Sequence, residues 1–120
     1  MTKQEDSGHS FLAYFKRATS PLAVLRILSD RPMYGYELIQ ELKQRSGGKY
    51  QLSLLYPVLY RLEEQGYLTI SASEIVDGRA RNYYAVTPAG RDYLRRTLAE
   101  YAEISVVFQQ LMEDWDGYEA

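Results

Sequence analysis

Apolar residues recur along this chain at two periods, and the change of period marks its elements. Across residues 53–66, Leu55, Leu59 and Leu62 fall at i, i+4 and i+7, one stripe of a helix. Ser53 suits an N-cap, Pro57 falls at the edge of the first turn where little hydrogen bonding is lost, and Gly66 supplies the stop. Further upstream, Ser20-Pro21 reads as a helix start, with Ser as N-cap and Pro at the first helical position. Leu22, Ala23, Val24, Leu25, Ile27 and Leu28 cover nearly every direction of that helix, so burial on most sides is expected. Arg31-Pro32 should end it, because the residue before proline avoids helical angles. The next helix is expected over residues 33–46, opening around Tyr34-Gly35. Its stripe is Leu38, Ile39 and Leu42, Glu41 is placed to pair with Arg45, and Gly47-Gly48 terminate it. Ahead of these, Phe11, Leu12, Tyr14 and Phe15 mark a short amphipathic helix to about Ala18, too small to stand alone. Residues 1–8 are polar and read as disordered.

The period then drops to two. Leu68, Ile70 and Ala72 alternate with polar neighbours, as do Tyr84 and Val86, and Asp77-Gly78 between them is a strong hairpin turn signal. The expected strands are residues 68–76 and 81–86, with Arg79 and Arg81 at or beside the tip. Thr87-Pro88 repeats the cap-and-proline start, and helical spacing returns at Leu94, Leu98, Tyr101, Ile104, Phe108, Leu111 and Trp115. A helix from there to about Asp114 is roughly 40 Å long and overhangs so small a body. Its apolar seam needs a partner, and a second copy of the chain is the simplest one. The expected fold is therefore mainly α with a small two-stranded β-wing, a winged helix-turn-helix followed by a long C-terminal dimerisation helix. Residues 1–19 form an arm with a short helix, 20–87 the winged domain and 88–116 the dimerisation helix.

Length and composition narrow the class. A chain of 120 residues holds one domain with a modest core. The absence of cysteine excludes a disulfide framework and a thiolate metal site. No run of eighteen apolar residues and no signal-peptide pattern occur, so a cytoplasmic protein with no membrane partner is expected. Net charge is −2, but residues 31–96 carry ten Lys/Arg against seven Asp/Glu, whereas residues 97–120 carry none against six. That asymmetry suits a mildly basic binding module with an acidic appendage. Glu113, Asp114 and Asp116 have no His or Cys beside them and read as a solvated helix end, and His9 lies in the polar arm. No catalytic triad, metal cluster or phosphate loop is present; neither an enzyme nor a cofactor is expected.

Away from its leucines, the helix over residues 53–66 presents Ser53, Tyr56, Tyr60 and Arg61, a set that can meet phosphates, sugars and base edges. Each feature has an ordinary alternative. A surface helix often carries a Tyr and an Arg, and arginines on a hairpin edge can serve only to block aggregation. A winged helix that binds other proteins, and never DNA, is the rival reading.

The wording of the chain adds to this. Met33-Tyr34-Gly35-Tyr36-Glu37-Leu38, the run from Leu55-Tyr56-Pro57-Val58-Leu59-Tyr60-Arg61-Leu62 to Gly66-Tyr67-Leu68, then Gly78-Arg79-Ala80-Arg81-Asn82-Tyr83-Tyr84 and Thr87-Pro88-Ala89-Gly90, resemble the PadR family of bacterial transcriptional regulators, in order and at the usual spacing. The resemblance spans about residues 20–94, and the single C-terminal helix is similar to the short branch of the family. It implies a homodimeric repressor of operator DNA. The third helix would enter the major groove, with Ser53, Leu54, Tyr60 and Arg61 facing DNA, Tyr56 holding the backbone, and Arg79 and Arg81 as the basic residues of the wing. Leu54 departs from the Thr or Ser often found there; it is able to meet a thymine methyl instead. The resemblance also implies a flat aromatic effector bound between subunits. Phe11, Tyr14 and Phe15 from the first helix, and Tyr101, Phe108 and Trp115 from the last, are the candidates. Aromatics at helical spacing in a seam also serve simply as packing.

Overall fold

In the computed structural model, which describes residues 9–51 and 55–117, the first helix, α1, spans Phe11–Leu28 without a break. Ser10 caps it, its hydroxyl accepting the Ala13 N–H at 3.1 Å. The expected short helix and the expected start at Ser20-Pro21 are thus one element, with Pro21 inside it. A mid-helix proline removes a donor and strains the preceding turn. Here the hydroxyls of Thr19 and Ser20 donate to the carbonyls of Phe15 (2.7 Å) and Lys16 (2.5 Å), adding donors in the turn where proline has none. Downstream, Val24, Leu25, Ile27 and Leu28 are all buried. At about 1.5–3 kcal/mol for each large apolar side chain, that burial outweighs the proline. The helix ends before Arg31-Pro32, with Ser29 as C-cap.

Helix α2 covers Gly35–Arg45 and helix α3 Leu55–Glu64. Met33, expected in α2, lies outside it. Its N–H donates to the Tyr84 carbonyl at 3.2 Å and its carbonyl accepts from the Tyr84 N–H at 2.9 Å, a single rung of sheet. The Met33 side chain is buried in the core, so the extended backbone after Pro32 serves to reach the hairpin before α2 begins. The expectations for residues 1–8, Ser53 and Leu54 lie outside the described residues.

Strands β1 (Leu68–Val76) and β2 (Arg79–Val86) pair antiparallel. Asp77 and Gly78 join them with φ of 53° and 75°, both left-handed, as a two-residue hairpin that follows the sheet twist demands. β2 starts at Arg79, opposite Val76, two residues earlier than expected. The register slips between Ile70 and Ala72, leaving Ser71 as a bulge.

Helix α4 runs over Pro88–Glu113. The Thr87 hydroxyl accepts the Gly90 N–H at 3.0 Å and donates to the Gly66 carbonyl at 2.7 Å, fastening the start of α4 to the end of α3. Gly90 packs so closely on the Tyr67 carbonyl that a Cβ has no room. Tyr67 and Tyr93 stack with centroids 4.4 Å apart. The core formed by α1, α2 and α3 is closed by Leu68, Tyr84 and Leu94. Past Leu94, α4 leaves the body. The radius of gyration is 17.2 Å, against roughly 14 Å for a compact chain of this length. No helix of the described residues is long and apolar enough to cross a membrane.

Candidate nucleic-acid interface

The stripe Leu55, Leu59 and Leu62 turns α3 inward, and this orientation sets Tyr56 and Tyr60 on its outer face. Their side chains remain 47% and 58% exposed. The two rings lie 6.0 Å apart. Across from them stands the face of the wing that carries Arg79 and Arg81. Between the two lies a groove of about 760 Å³, lined by Tyr34, Tyr56, Tyr60, Arg79, Arg81 and Asn82 among others. Tyr56, Tyr60, Arg79 and Arg81, separated in sequence by up to 25 positions, thus share one groove. Arg61 is exposed on α3 but does not line it. Ser53 and Leu54, just ahead of α3, lie outside the described residues.

The start of α2 also reaches the groove, through Tyr34, Gly35 and Tyr36. A Cβ at Gly35 would collide with the Tyr56 phenol, so glycine is what lets that ring lie across the first turn of α2. Helix N-termini favour anions, and the two arginines add to that field. Among the described residues neither Arg79 nor Arg81 makes an ion pair with a carboxylate. Arg81 instead lies over the Tyr34 ring, 4.5 Å from its centroid. The Glu74 carboxylate, cross-strand from Arg81, accepts a 2.6 Å hydrogen bond from the Tyr83 hydroxyl. That bond raises the pKa of Tyr83 above its ordinary value. Burial raises that of Tyr84 at the groove floor. Both phenols therefore stay neutral near pH 7. The groove offers phenol rings, hydroxyl donors and two guanidinium groups, a combination suited to a sugar-phosphate backbone.

Tyr34, Tyr36, Asn82 and Tyr84 in this groove were assigned no role from sequence. The signal was there, in the Tyr34-Gly35-Tyr36 run and in the Asn82-Tyr83-Tyr84 stretch beside the arginines. What sequence does not show is the Met33–Tyr84 rung that sets these two segments side by side.

The second set of expected residues lies on α1 and on or just past α4, and does not line this groove. Phe15 of α1 meets Tyr101 of α4 edge to face at 6.4 Å, and Phe11 lies 6.0 Å from Phe15. Tyr14 turns to His9 and Arg17. Phe108 is exposed farther along α4. Trp115 falls beyond the helix C-cap at Asp114, so it does not continue the helical seam as expected. Leu98, Tyr101, Ile104, Phe108 and Leu111 form the exposed seam. Leu94, expected to belong to that seam, is buried within the core of its own chain.

A helix-turn-helix whose third helix faces a basic hairpin defines a winged-helix protein, and this chain is a DNA-binding transcriptional regulator of that class. It belongs to the PadR-like family of transcriptional regulators, whose profile matches residues 24–96. It is similar to the Mycobacterium tuberculosis transcriptional regulator Rv3488, at 45% identity over 91 residues covering 73% of this chain and 83% of the relative. The crystal structure of a PadR family transcriptional regulator from Eggerthella lenta matches with a TM-score of 0.79 at 28% identity, over 92% of this chain and 96% of that one. A transcriptional regulator from Clostridium thermocellum shares the fold, with a TM-score of 0.73 at 24% identity over 81% of this chain and 96% of that one.

Proposed function

We propose that this chain is a cytoplasmic homodimeric repressor that binds a near-palindromic operator and is released from it by a small aromatic ligand. The observation that carries the DNA reading is the shared groove of Tyr56, Tyr60, Arg79 and Arg81. In this reading α3 enters the major groove, and Ser53, Leu54, Tyr60 and Arg61 read base edges. Tyr56 and the wing arginines hold phosphates, giving register and salt-dependent affinity. Two subunits place their α3 helices about one DNA turn apart, roughly 34–36 Å. The exposed seam of α4 supports self-pairing, since a soluble chain seldom leaves so many large apolar side chains in water. The contact of Phe15 with Tyr101 supports a ligand site where α1 and α4 meet. A ligand stacking there would act by coupling its site to the spacing of the two α3 helices.

The test is binding to the duplex upstream of the protein's own gene across a salt series, beside Arg79→Ala and Arg81→Ala variants. The expected result is tight binding of two chains per site with a steep salt dependence. Each variant should weaken binding and flatten the log–log slope by about one. If no fragment from the surrounding genome binds at low salt, the repressor reading fails and a protein partner takes its place.

A further inference from the structure

The groove is built from two segments that sequence keeps apart, and one side chain joins them. Tyr34, immediately ahead of α2, is half-buried. Its ring meets two residues of β2 at once, Arg81 with its guanidinium carbon 4.5 Å from the ring centroid, and Tyr83 edge to face at 5.4 Å. Residues 81 and 83 are two apart on one strand and therefore share a face. Each contact is held from behind. The Tyr34 N–H donates to the Glu37 carboxylate at 3.3 Å, and that carboxylate also pairs with Arg31 at 3.5 Å. Tyr83 is tied to Glu74 on the far strand. The Met33–Tyr84 rung, one residue away, fixes the register between the two segments.

We infer that Tyr34 is a positioning residue of the wing: its ring clamps Arg81 against the start of α2 and so sets the distance between the wing arginines and α3 before DNA arrives. This inference rests on the DNA reading above but makes a claim of its own about the free protein. An arginine on a two-stranded hairpin otherwise samples many rotamers, and ordering it on binding costs affinity. A guanidinium over a ring retains its outward N–H groups, so the clamp leaves Arg81 charged and able to donate to phosphate. The face of the ring makes this contact. Tyr34→Phe should therefore preserve it and Tyr34→Leu should abolish it.

Two readouts test this separately. In the free protein, the Arg81 side-chain proton resonances should be shifted by the ring current in the native protein and in Tyr34→Phe, and should relax to ordinary arginine positions in Tyr34→Leu. Arg81→Met reports the same contact from the other side, through the ring signals of Tyr34, and serves if Tyr34→Leu does not fold. On the upstream duplex, Tyr34→Leu should weaken binding about two- to fivefold, the size of one exposed cation–π contact. It should have no further effect in an Arg81→Ala background. Unchanged resonances in Tyr34→Leu, or unmoved Tyr34 signals in Arg81→Met, would overturn the clamp whatever the DNA result. Equal losses with and without Arg81 would show instead that Tyr34 touches DNA directly. A Tyr34→Phe loss as large as that of Tyr34→Leu would assign the effect to the hydroxyl. Absence of DNA binding by the native protein counts against the DNA reading, and the resonances still decide the clamp.

Discussion

The body and the arm of this molecule are written in the same apolar periodicity, yet only the body satisfies it within one chain. Leu55, Leu59 and Leu62 of α3 are spaced like Leu98, Tyr101, Ile104 and Phe108 of α4. The first set is buried against α1, α2 and the base of the hairpin; the second stands in solvent, with Phe108 55% exposed. The family profile matches residues 24–96, leaving out α1 ahead of Val24 and the projecting part of α4. The difference teaches that helical periodicity reports a face that must be covered and says nothing about who covers it. A core face is covered by neighbours in the same chain. The seam of α4 stands largely in solvent, with Phe15 against Tyr101, and most helical stability in proteins comes from packing an apolar face.

The comparison breaks first at the core. Leu59→Ala removes a fully buried side chain and should lower the unfolding free energy by about 2–5 kcal/mol. The loss, read by urea denaturation, should be the same at low and high protein concentration. A loss below about 1 kcal/mol would mean that the body is not closed within one chain. Next comes the arm. On the homodimer reading, Phe108→Ala should weaken self-association tenfold or more, about 1.4 kcal/mol, as seen in sedimentation equilibrium, while the denaturation of the monomeric body is nearly unchanged. An unaltered association constant would move the subunit contact off this seam.

The smallest effect is electrostatic and belongs to the body. Asp30 accepts hydrogen bonds from Arg45 at 2.7 Å and Arg26 at 3.0 Å, which hold its pKa below the ordinary carboxylate value. A depressed folded pKa means that protons bind the unfolded chain more readily. Its contribution is therefore complete above about pH 4, the ordinary aspartate value. It is lost as pH falls through the lower folded value. The pair is exposed and its contribution modest. Stability should thus not change with pH through this group between pH 5 and 8, and Asp30→Asn should lower it there by a small constant amount that fades as the pH falls below about 4. A loss that stayed the same well below about pH 4 would show that Asp30 stabilises the fold other than through its charge.

Much of the architecture was legible because its signals are local. Asp77-Gly78 sets a hairpin wherever it falls between alternating strands, Thr87-Pro88 starts a helix, and Leu55, Leu59 and Leu62 stripe one. Local rules misled where a distant contact outweighed them. Ser20-Pro21 reads as a helix start, but burial of Val24, Leu25, Ile27 and Leu28 carries α1 through the proline. Met33 reads as helical, but its backbone pairs with Tyr84 about fifty residues on.

The binding residues divide in the same way. The sequence by itself determined which side chains leave the apolar stripes, among them Tyr56, Tyr60, Arg79 and Arg81, because amphipathic spacing assigns a face without knowing its surroundings. Only the tertiary structure decided that these four share one groove, that Arg61 stands outside it, and that Tyr34 holds Arg81. Those facts depend on how α3 and the wing are angled over a common core, and that angle is set by packing between residues far apart in the chain.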